Sequence, residues 1–132
     1  MKEITLHNKQ VLTFVVDENM TAKTVGSGDA DVLGTPIMIA WMENAAKQAL
    51  YPFLEDGETS VGIHIDCSHD AASPLGIEVT VTAEIMEINR RVITFQVTAE
   101  DTKGPIGTCT HERAVVLSDK FMRKAAERLI QE

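Results

Sequence analysis

Three side chains in this 132-residue sequence belong to residue types that move protons or attack carbonyl groups: Thr35, Glu43 and His69. Histidine exchanges protons near neutral pH, and the small residues of the loop HDAAS at His69 leave room for a ligand. Glu43 interrupts an apolar helical segment, where a carboxylate is more often partly buried than on an exposed helix. Thr35 begins that segment, and the backbone donors of a helix N-terminus favour charge developing on a carbonyl oxygen.

Each of these residues also has an ordinary structural explanation. A lone loop histidine is usually a surface residue. Glu43 could form a weak surface pair with Lys47, four residues further along the helix. A threonine that caps a helix needs no other role. Residue types alone therefore do not separate chemistry from structure.

Two further residues extend the candidate site. Gly62 stands in the middle of a strand pattern, where glycine weakens the strand and often marks close approach of a ligand to the backbone. Arg113, in the last strand pattern, also fits an ordinary ion-pairing role on an exposed face. The remaining histidines are interpreted as structural or exposed residues: His7, His64 and His111.

The spacing of Thr35 and Glu43 limits how they can act together. They are eight residues apart, which is about 12 Å of rise in one helix, so they cannot touch directly. Either a substrate and His69 span the gap, or the groups meet across a subunit interface. The strand predicted at 59–68 could form such an interface by pairing with its copy in a second subunit.

The segment from Thr35 to Leu54, TPIMIAWMENAAKQALYPFL, is predicted to be the central helix. Its polar residues form one narrow stripe, and a helix that is apolar over most of its circumference is normally surrounded by other structure. Thr35 suits the N-cap and Pro36 the first helical position. Pro52 marks the end.

Alternating patterns predict five strands, at 10–17, 59–68, 77–88, 92–100 and 106–117. Residues 18–34 contain three glycines and few apolar anchors, which predicts a flexible loop. Ser118 and Asp119 are candidate caps of a short closing helix.

The short links between the last four strands favour an antiparallel sheet. One face of that sheet needs cover, and the apolar helix is the element able to supply most of it. The sequence therefore predicts an α+β hotdog fold, an antiparallel sheet wrapped round one long central helix. A single domain over residues 1–132 is expected.

Composition excludes several classes of function. A formal net charge of −8 disfavours nucleic acid, which needs a basic surface. No apolar run is long enough to cross a bilayer, and the N-terminus lacks the pattern of a signal peptide. With only two cysteines, Cys67 and Cys109, these features predict a cytoplasmic protein. No metal is expected, since the polar residues at 64, 66 and 69 lack a recognised ligand spacing.

The chain resembles the hotdog thioesterases related to fluoroacetyl-CoA thioesterase, from about Val32 to Phe121. Four segments carry the likeness in matching order and spacing: GTPIMIAWMENAAKQALYPFL, SVGIHIDCSHDAASPLGIEVTVTAEIMEI, RRVITFQVTAED and IGTCTHERAVV. The resemblance implies hydrolysis of an acyl-CoA thioester to a free acid and coenzyme A, with no cofactor. It also implies a homodimer, or a tetramer built from it, with sites at the interface.

Carried over by position, the resemblance implies that Thr35, Glu43 and His69 form the catalytic set. Gly62 would line the thioester site through its backbone, and Arg113 would help to hold the substrate. Two routes stay open. Thr35 attacks the thioester with His69 as base and then acid, or Glu43 or His69 activates water for direct attack.

One segment differs from the family pattern. The fluoroacetyl-specific member has an aromatic-rich segment before its catalytic threonine, whereas this chain has GSGDADVLG there. This difference predicts that the substrate is a general small or medium acyl thioester and that the enzyme is not specific for fluoroacetyl. Coenzyme A also carries phosphates, and five cations are candidates to bind them: Arg90, Arg91, Lys120, Arg123 and Lys124. These residues are equally well explained as solvated surface charges.

Two other functions compete with hydrolysis. A hotdog hydratase or dehydratase acting on an acyl thioester uses a histidine and a helix carboxylate and would not need Thr35. A non-catalytic acyl-CoA-binding protein would bind the thioester without turnover and would need no proton-transfer group.

Overall fold

A five-stranded antiparallel sheet and one long helix form the framework of the computed structural model, which describes residues 1–130. The strands are β1 (Lys9–Val15), β2 (Glu58–His69), β3 (Glu78–Asn89), β4 (Val92–Asp101) and β5 (Gly104–Leu117). They lie in the order β1-β3-β4-β5-β2. The five predicted strands are confirmed, and β2 extends one residue further than expected, so His69 ends the strand instead of starting the loop.

The helices are α1 (Ala22–Val25), α2 (Thr35–Leu50) and α3 (Ser118–Ala126). Three short 3₁₀ turns accompany them, at Glu18–Met20, Tyr51–Phe53 and Glu127–Leu129. The long helix α2 packs against all five strands, as its apolar circumference predicts. Its buried residues are Met38, Trp41, Met42, Ala45, Ala46, Ala49 and Leu50. No helix in the described part of the chain could cross a membrane.

The start of α2 differs from the prediction. Gly34, not Thr35, is the N-cap residue, because the carbonyl of Gly34 accepts the first backbone hydrogen bonds from Ile37 and Met38. Pro36 is therefore the second helical residue, where its missing N–H also costs no hydrogen bond. The side chain of Thr35 makes no capping bond, so capping does not explain this threonine.

Residues 18–34 are folded, and the prediction of a flexible loop was wrong. Thr21 caps α1 by accepting a hydrogen bond from the Thr24 backbone. The segment then pairs with the rest of the chain, since Leu33 donates to the Ser73 carbonyl and Val32 bridges to Pro74. These long-range backbone contacts leave little local signal in the sequence.

The closing helix is confirmed, but its predicted caps are not. The N-cap of α3 is Leu117, and no side chain caps the helix. The backbone N–H of Ser118 instead donates to the carbonyl of Gly57. This bond ties the start of α3 to the turn that precedes β2.

Both outer strands of the sheet have one unpaired edge, because β2 pairs with β5 and β1 pairs with β3 in the described chain. The register of β2 against β5 shifts between Gly62 and His64, which marks a bulge. Ile63, inside the bulge, is 53% exposed. A long edge strand with an exposed apolar residue is suited to pair with another chain.

Gly107 of β5 is a point of close packing against both β2 and α2. A Cβ added there would lie 2.7 Å from the Ser68 carbonyl oxygen and 2.9 Å from the Met38 sulfur. We expect Gly107→Ala to lower the free energy of unfolding by about 1–3 kcal/mol, because overpacking forces backbone shifts. Urea denaturation of the wild type and the variant measures this.

Gly28→Ala is the matched control, since a Cβ there would meet Ala22 at an ordinary 3.4 Å. A midpoint for Gly107→Ala equal to that of the control would contradict the packing argument.

Candidate active site

Thr35 and His69 form the first polar pair of the site. Thr35 begins α2 and His69 ends β2, and the Thr35 Oγ1 lies 2.7 Å from the His69 Nδ1. In the tautomer that carries its proton on Nε2, the imidazole accepts the hydroxyl proton at Nδ1. This is the geometry in which a histidine activates a hydroxyl nucleophile.

The other ring nitrogen of His69 is buried and makes no hydrogen bond to residues 1–130. Buried polar atoms are usually paired. An unpaired imidazole nitrogen is therefore available to a group that enters the site. His69 can exchange protons through Nδ1 toward Thr35 and present Nε2 to a ligand or water.

A cleft of about 250 Å³ lies beside this pair. Its lining consists mostly of small residues, contributed by α1, the segment before α2, and the loop after β2: Ala22, Ser27, Val32, Leu33, Thr35, His69, Asp70, Ala71 and Ala72. The folded segment 18–34 thus forms one wall. A small apolar group is the best fit to such a lining.

Glu43 belongs to a second polar cluster, on the middle of α2. Its Oε2 lies 3.6 Å from Nη1 of Arg113, and its side chain is 42% exposed. The guanidinium of Arg113 is buried, and it donates to the Ser60 hydroxyl at 2.9 Å and to the Ser60 carbonyl at 3.0 Å. Arg113 is thus a fixed, buried cation instead of the exposed ion-pairing residue that was one interpretation.

Gly62 provides the space for the Glu43 carboxylate. A Cβ at position 62 would lie 2.6 Å from the Glu43 Oε2 and 3.2 Å from the His111 Cε1. A side chain at this position would displace the carboxylate. The glycine is therefore needed for close approach, although the approaching group in this structure is Glu43.

His111 is a member of the cluster that sequence reasoning did not select as functional. It is fully buried, and its Nδ1 donates to the His64 carbonyl at 2.8 Å. Its Nε2 then accepts from Arg113 Nη1 at 3.1 Å. A signal existed, because His111 and Arg113 occupy the inward-facing positions of β5 between Cys109 and Val115.

The structure brings the predicted residues together in two groups, not one. Thr35 meets His69 at one end of β2, and Glu43 meets Gly62 and Arg113 nearer its start. Gly62 and His69 are seven residues apart, about 23 Å along a strand. No hydrogen bond or ion pair joins the two groups within residues 1–130. In the same range, no group of three or more His, Cys, Asp or Glu side chains could hold a metal ion.

Comparison with known proteins identifies a family model and a characterised protein that match most of the chain. The family model of fluoroacetyl-CoA-specific thioesterases matches residues 16–119. The fluoroacetyl-CoA thioesterase of Streptantibioticus cattleyicolor is 42% identical over 98 residues, which are 74% of this chain and 70% of that protein.

Solved structures agree on the fold. A variant of the fluoroacetyl-CoA thioesterase FlK in complex with acetyl-CoA is 34% identical with a TM-score of 0.89, covering 95% of this chain and 98% of that chain. A hot-dog-like protein from Thermanaerovibrio acidaminovorans has a TM-score of 0.90 at 22% identity, covering 98% of this chain and 96% of the other. The predicted hotdog fold is confirmed.

The buried imidazole of His111 predicts a pH dependence of stability. Burial lowers its pKa from 6.5, so the folded chain keeps it neutral where the unfolded chain binds a proton. The contribution of His111 to stability is therefore complete above about pH 6.5 and decreases as the pH falls below it, by at most about 1.4 kcal/mol per pH unit. Urea unfolding at pH 7.5 and 5.5 measures the loss.

His111→Gln is the control, because it removes this one titration and leaves His7, His64 and His69 in place. The wild type should lose more stability between the two pH values than the variant. Equal losses would contradict a neutral buried His111.

Proposed function

Because the chain belongs to the family of fluoroacetyl-CoA-specific thioesterases, we propose that it hydrolyses an acyl-CoA thioester to a free acid and coenzyme A. The observation that carries this is the 2.7 Å contact between Thr35 Oγ1 and His69 Nδ1. It lies at the start of a helix and beside a cleft of about 250 Å³. A protein that only binds the thioester would not need a histidine hydrogen-bonded to a threonine hydroxyl.

The contact favours Thr35 as nucleophile. His69 takes the hydroxyl proton at Nδ1 while the threonine oxygen attacks the thioester carbonyl. When the C–S bond breaks, the imidazolium returns the proton to the departing thiolate, which leaves coenzyme A as the free thiol. Water then attacks the acyl-threonine while His69 takes a proton from the water. The ester C–O bond breaks, the imidazolium returns the proton to the Thr35 oxygen, and the acid is released.

Glu43 supplies the alternative or second base. Its carboxylate is held toward Gly62 by the buried cation of Arg113. In this position it can accept a proton from water, either in direct attack on the thioester or in hydrolysis of the acyl-threonine. The backbone of Gly62 lies beside the Glu43 carboxylate, because glycine has no side chain to occupy that space.

The two polar groups come together if two β2 strands pair in a dimer. An antiparallel pair centred on Asp66 would place His69 opposite the bulge at Gly62 and Ile63 of the partner subunit, because the positions of paired residues add to a constant in such a dimer. The same pairing would cover the exposed Ile63 and satisfy the free edge of β2. We propose this homodimer, from which a tetramer could be built by further contacts.

The acyl group is proposed to be small or medium in size. The lining of the cleft includes three alanines, at 22, 71 and 72, together with Ser27. The segment 18–34 contributes no aromatic residue to it. The acyl group is therefore covered on this side by small side chains instead of an aromatic ring.

The chemistry is assigned to side chains and water, and coenzyme A enters as part of the substrate. A cytoplasmic location is supported by Cys67 and Cys109, which are both free thiols and which suit a reducing compartment.

Release of free thiol from a panel of acyl-CoAs, from acetyl to long-chain and including phenylacetyl, tests the proposal. His69→Ala should lower kcat/KM at least about 100-fold, because general acid-base catalysis contributes about 10²–10⁴-fold. His64→Ala, an exposed histidine on the same strand, is the matched control and should keep the wild-type rate.

Two results would overturn the proposal. A hydratase would be identified if Thr35→Ala still adds water to an enoyl-CoA and no thiol is released from saturated acyl-CoA thioesters. Thermal stabilisation by acyl-CoA without turnover on any ester would identify a binding protein.

A further inference from the structure

A groove of about 320 Å³ lies between the end of β5 and α3. Its lining combines four apolar residues with three cations and contains no carboxylate: Arg91, Val115, Val116, Leu117, Lys120, Phe121 and Lys124. In a chain with a formal net charge of −8, three cations without an acid along one groove are a marked local excess. This composition suits an anionic ligand that also has an apolar part.

The cations of the groove are available to a ligand to different degrees. Lys120 and Lys124 are one helical turn apart on α3 and therefore point to the same side. Neither makes an ion pair within residues 1–130. Arg91 is held in place by Glu58 at 3.1 Å and by the Val115 carbonyl at 3.4 Å. The two lysines thus carry most of the uncompensated positive charge.

The groove adjoins the cluster that contains Glu43. Val115 follows Arg113 by two residues and so lies on the same face of β5, about 7 Å further along. On the neighbouring strand β2, Gly62 pairs with Arg113 and Glu58 pairs with Leu117. In the proposed dimer, the groove therefore begins at Val115, about 7 Å beyond the part of the sheet that faces His69 of the partner subunit, and reaches Leu117 about 13 Å beyond it.

We propose that this groove binds the phosphorylated nucleotide end of coenzyme A, from the subunit that supplies Glu43 to the site. The phosphates contact Lys120, Lys124 and Arg91, and the adenine packs on the side chains of Leu117 and Phe121. The inference rests on the proposed function. It selects three of the five cations suggested by the sequence, since Arg90 and Arg123 do not line the groove.

The test compares substrates with and without the nucleotide. We expect Lys120→Glu combined with Lys124→Glu to raise KM for acetyl-CoA roughly tenfold, because charge reversal replaces attraction to phosphate by repulsion. The values of kcat for acetyl-CoA, and of KM for acetyl-N-acetylcysteamine, which has no phosphate, should stay within about twofold of the wild type. Added salt should narrow the difference in KM for acetyl-CoA.

The matched control combines Arg123→Glu with Lys103→Glu. It changes the net charge by the same amount, and Arg123 stands on the same helix outside the groove. KM for acetyl-CoA should remain near the wild-type value. An equal rise in the control, or no rise in the lysine variant, would overturn the groove as the nucleotide site.

Titration calorimetry with adenosine 3′,5′-bisphosphate separates this inference from the proposed hydrolysis. Weaker binding to the lysine variant than to the wild type and the control supports the groove even if no ester is hydrolysed. Equal binding by all three proteins would contradict it, whatever the esterase assay gives.

Discussion

The arrangement of the site depends on the distance that separates Thr35 from Glu43 along α2. Thr35 and Glu43 stand on α2 about 12 Å apart, and each finds its partners on a different part of β2. Thr35 contacts His69, and Glu43 contacts Arg113 over Gly62. Because the sheet packs against α2 in one register, the chain cannot bring the two groups together by itself. In the proposed dimer, pairing of the two exposed β2 edges would bring Thr35 and His69 of one subunit to the Glu43 group of the other.

Burial of Arg113 explains why several neighbours are needed around Glu43. A buried cation is costly unless it is paired and hydrogen-bonded, and this one has Ser60, His111 and Glu43 as partners. His111 can accept from Arg113 because its other nitrogen is committed to the His64 carbonyl. The carboxylate is thus placed by a chain of contacts that begins in the backbone of β2.

The fold was accessible from the sequence because its signals are local and repetitive. The apolar circumference of α2 and the alternation in β2 to β5 are each visible within a dozen residues. The catalytic candidates were also identifiable, but partly through arguments that the structure corrects. Thr35 is not a cap, and His69 stands in the strand.

Long-range contacts explain what the sequence did not reveal. Segment 18–34 folds because Leu33 and Val32 reach the loop near Ser73 and Pro74, and no local pattern encodes that pairing. His111 was assigned no function because the His64 carbonyl, which accepts its hydrogen bond, reaches it only when β5 pairs with β2. The grouping of the site residues into two clusters likewise depends on strand register.

The most direct test of a site built from two copies is subunit complementation. His69→Ala and Glu43→Gln chains, carrying different tags, are co-expressed, and the mixed dimer is isolated by purification on both tags. In the mixed dimer, one site carries both defects and the other carries neither, so thiol release should reach about half of the wild-type rate while both parent variants stay inactive. A mixed dimer no more active than its parents would show that each chain forms its own site.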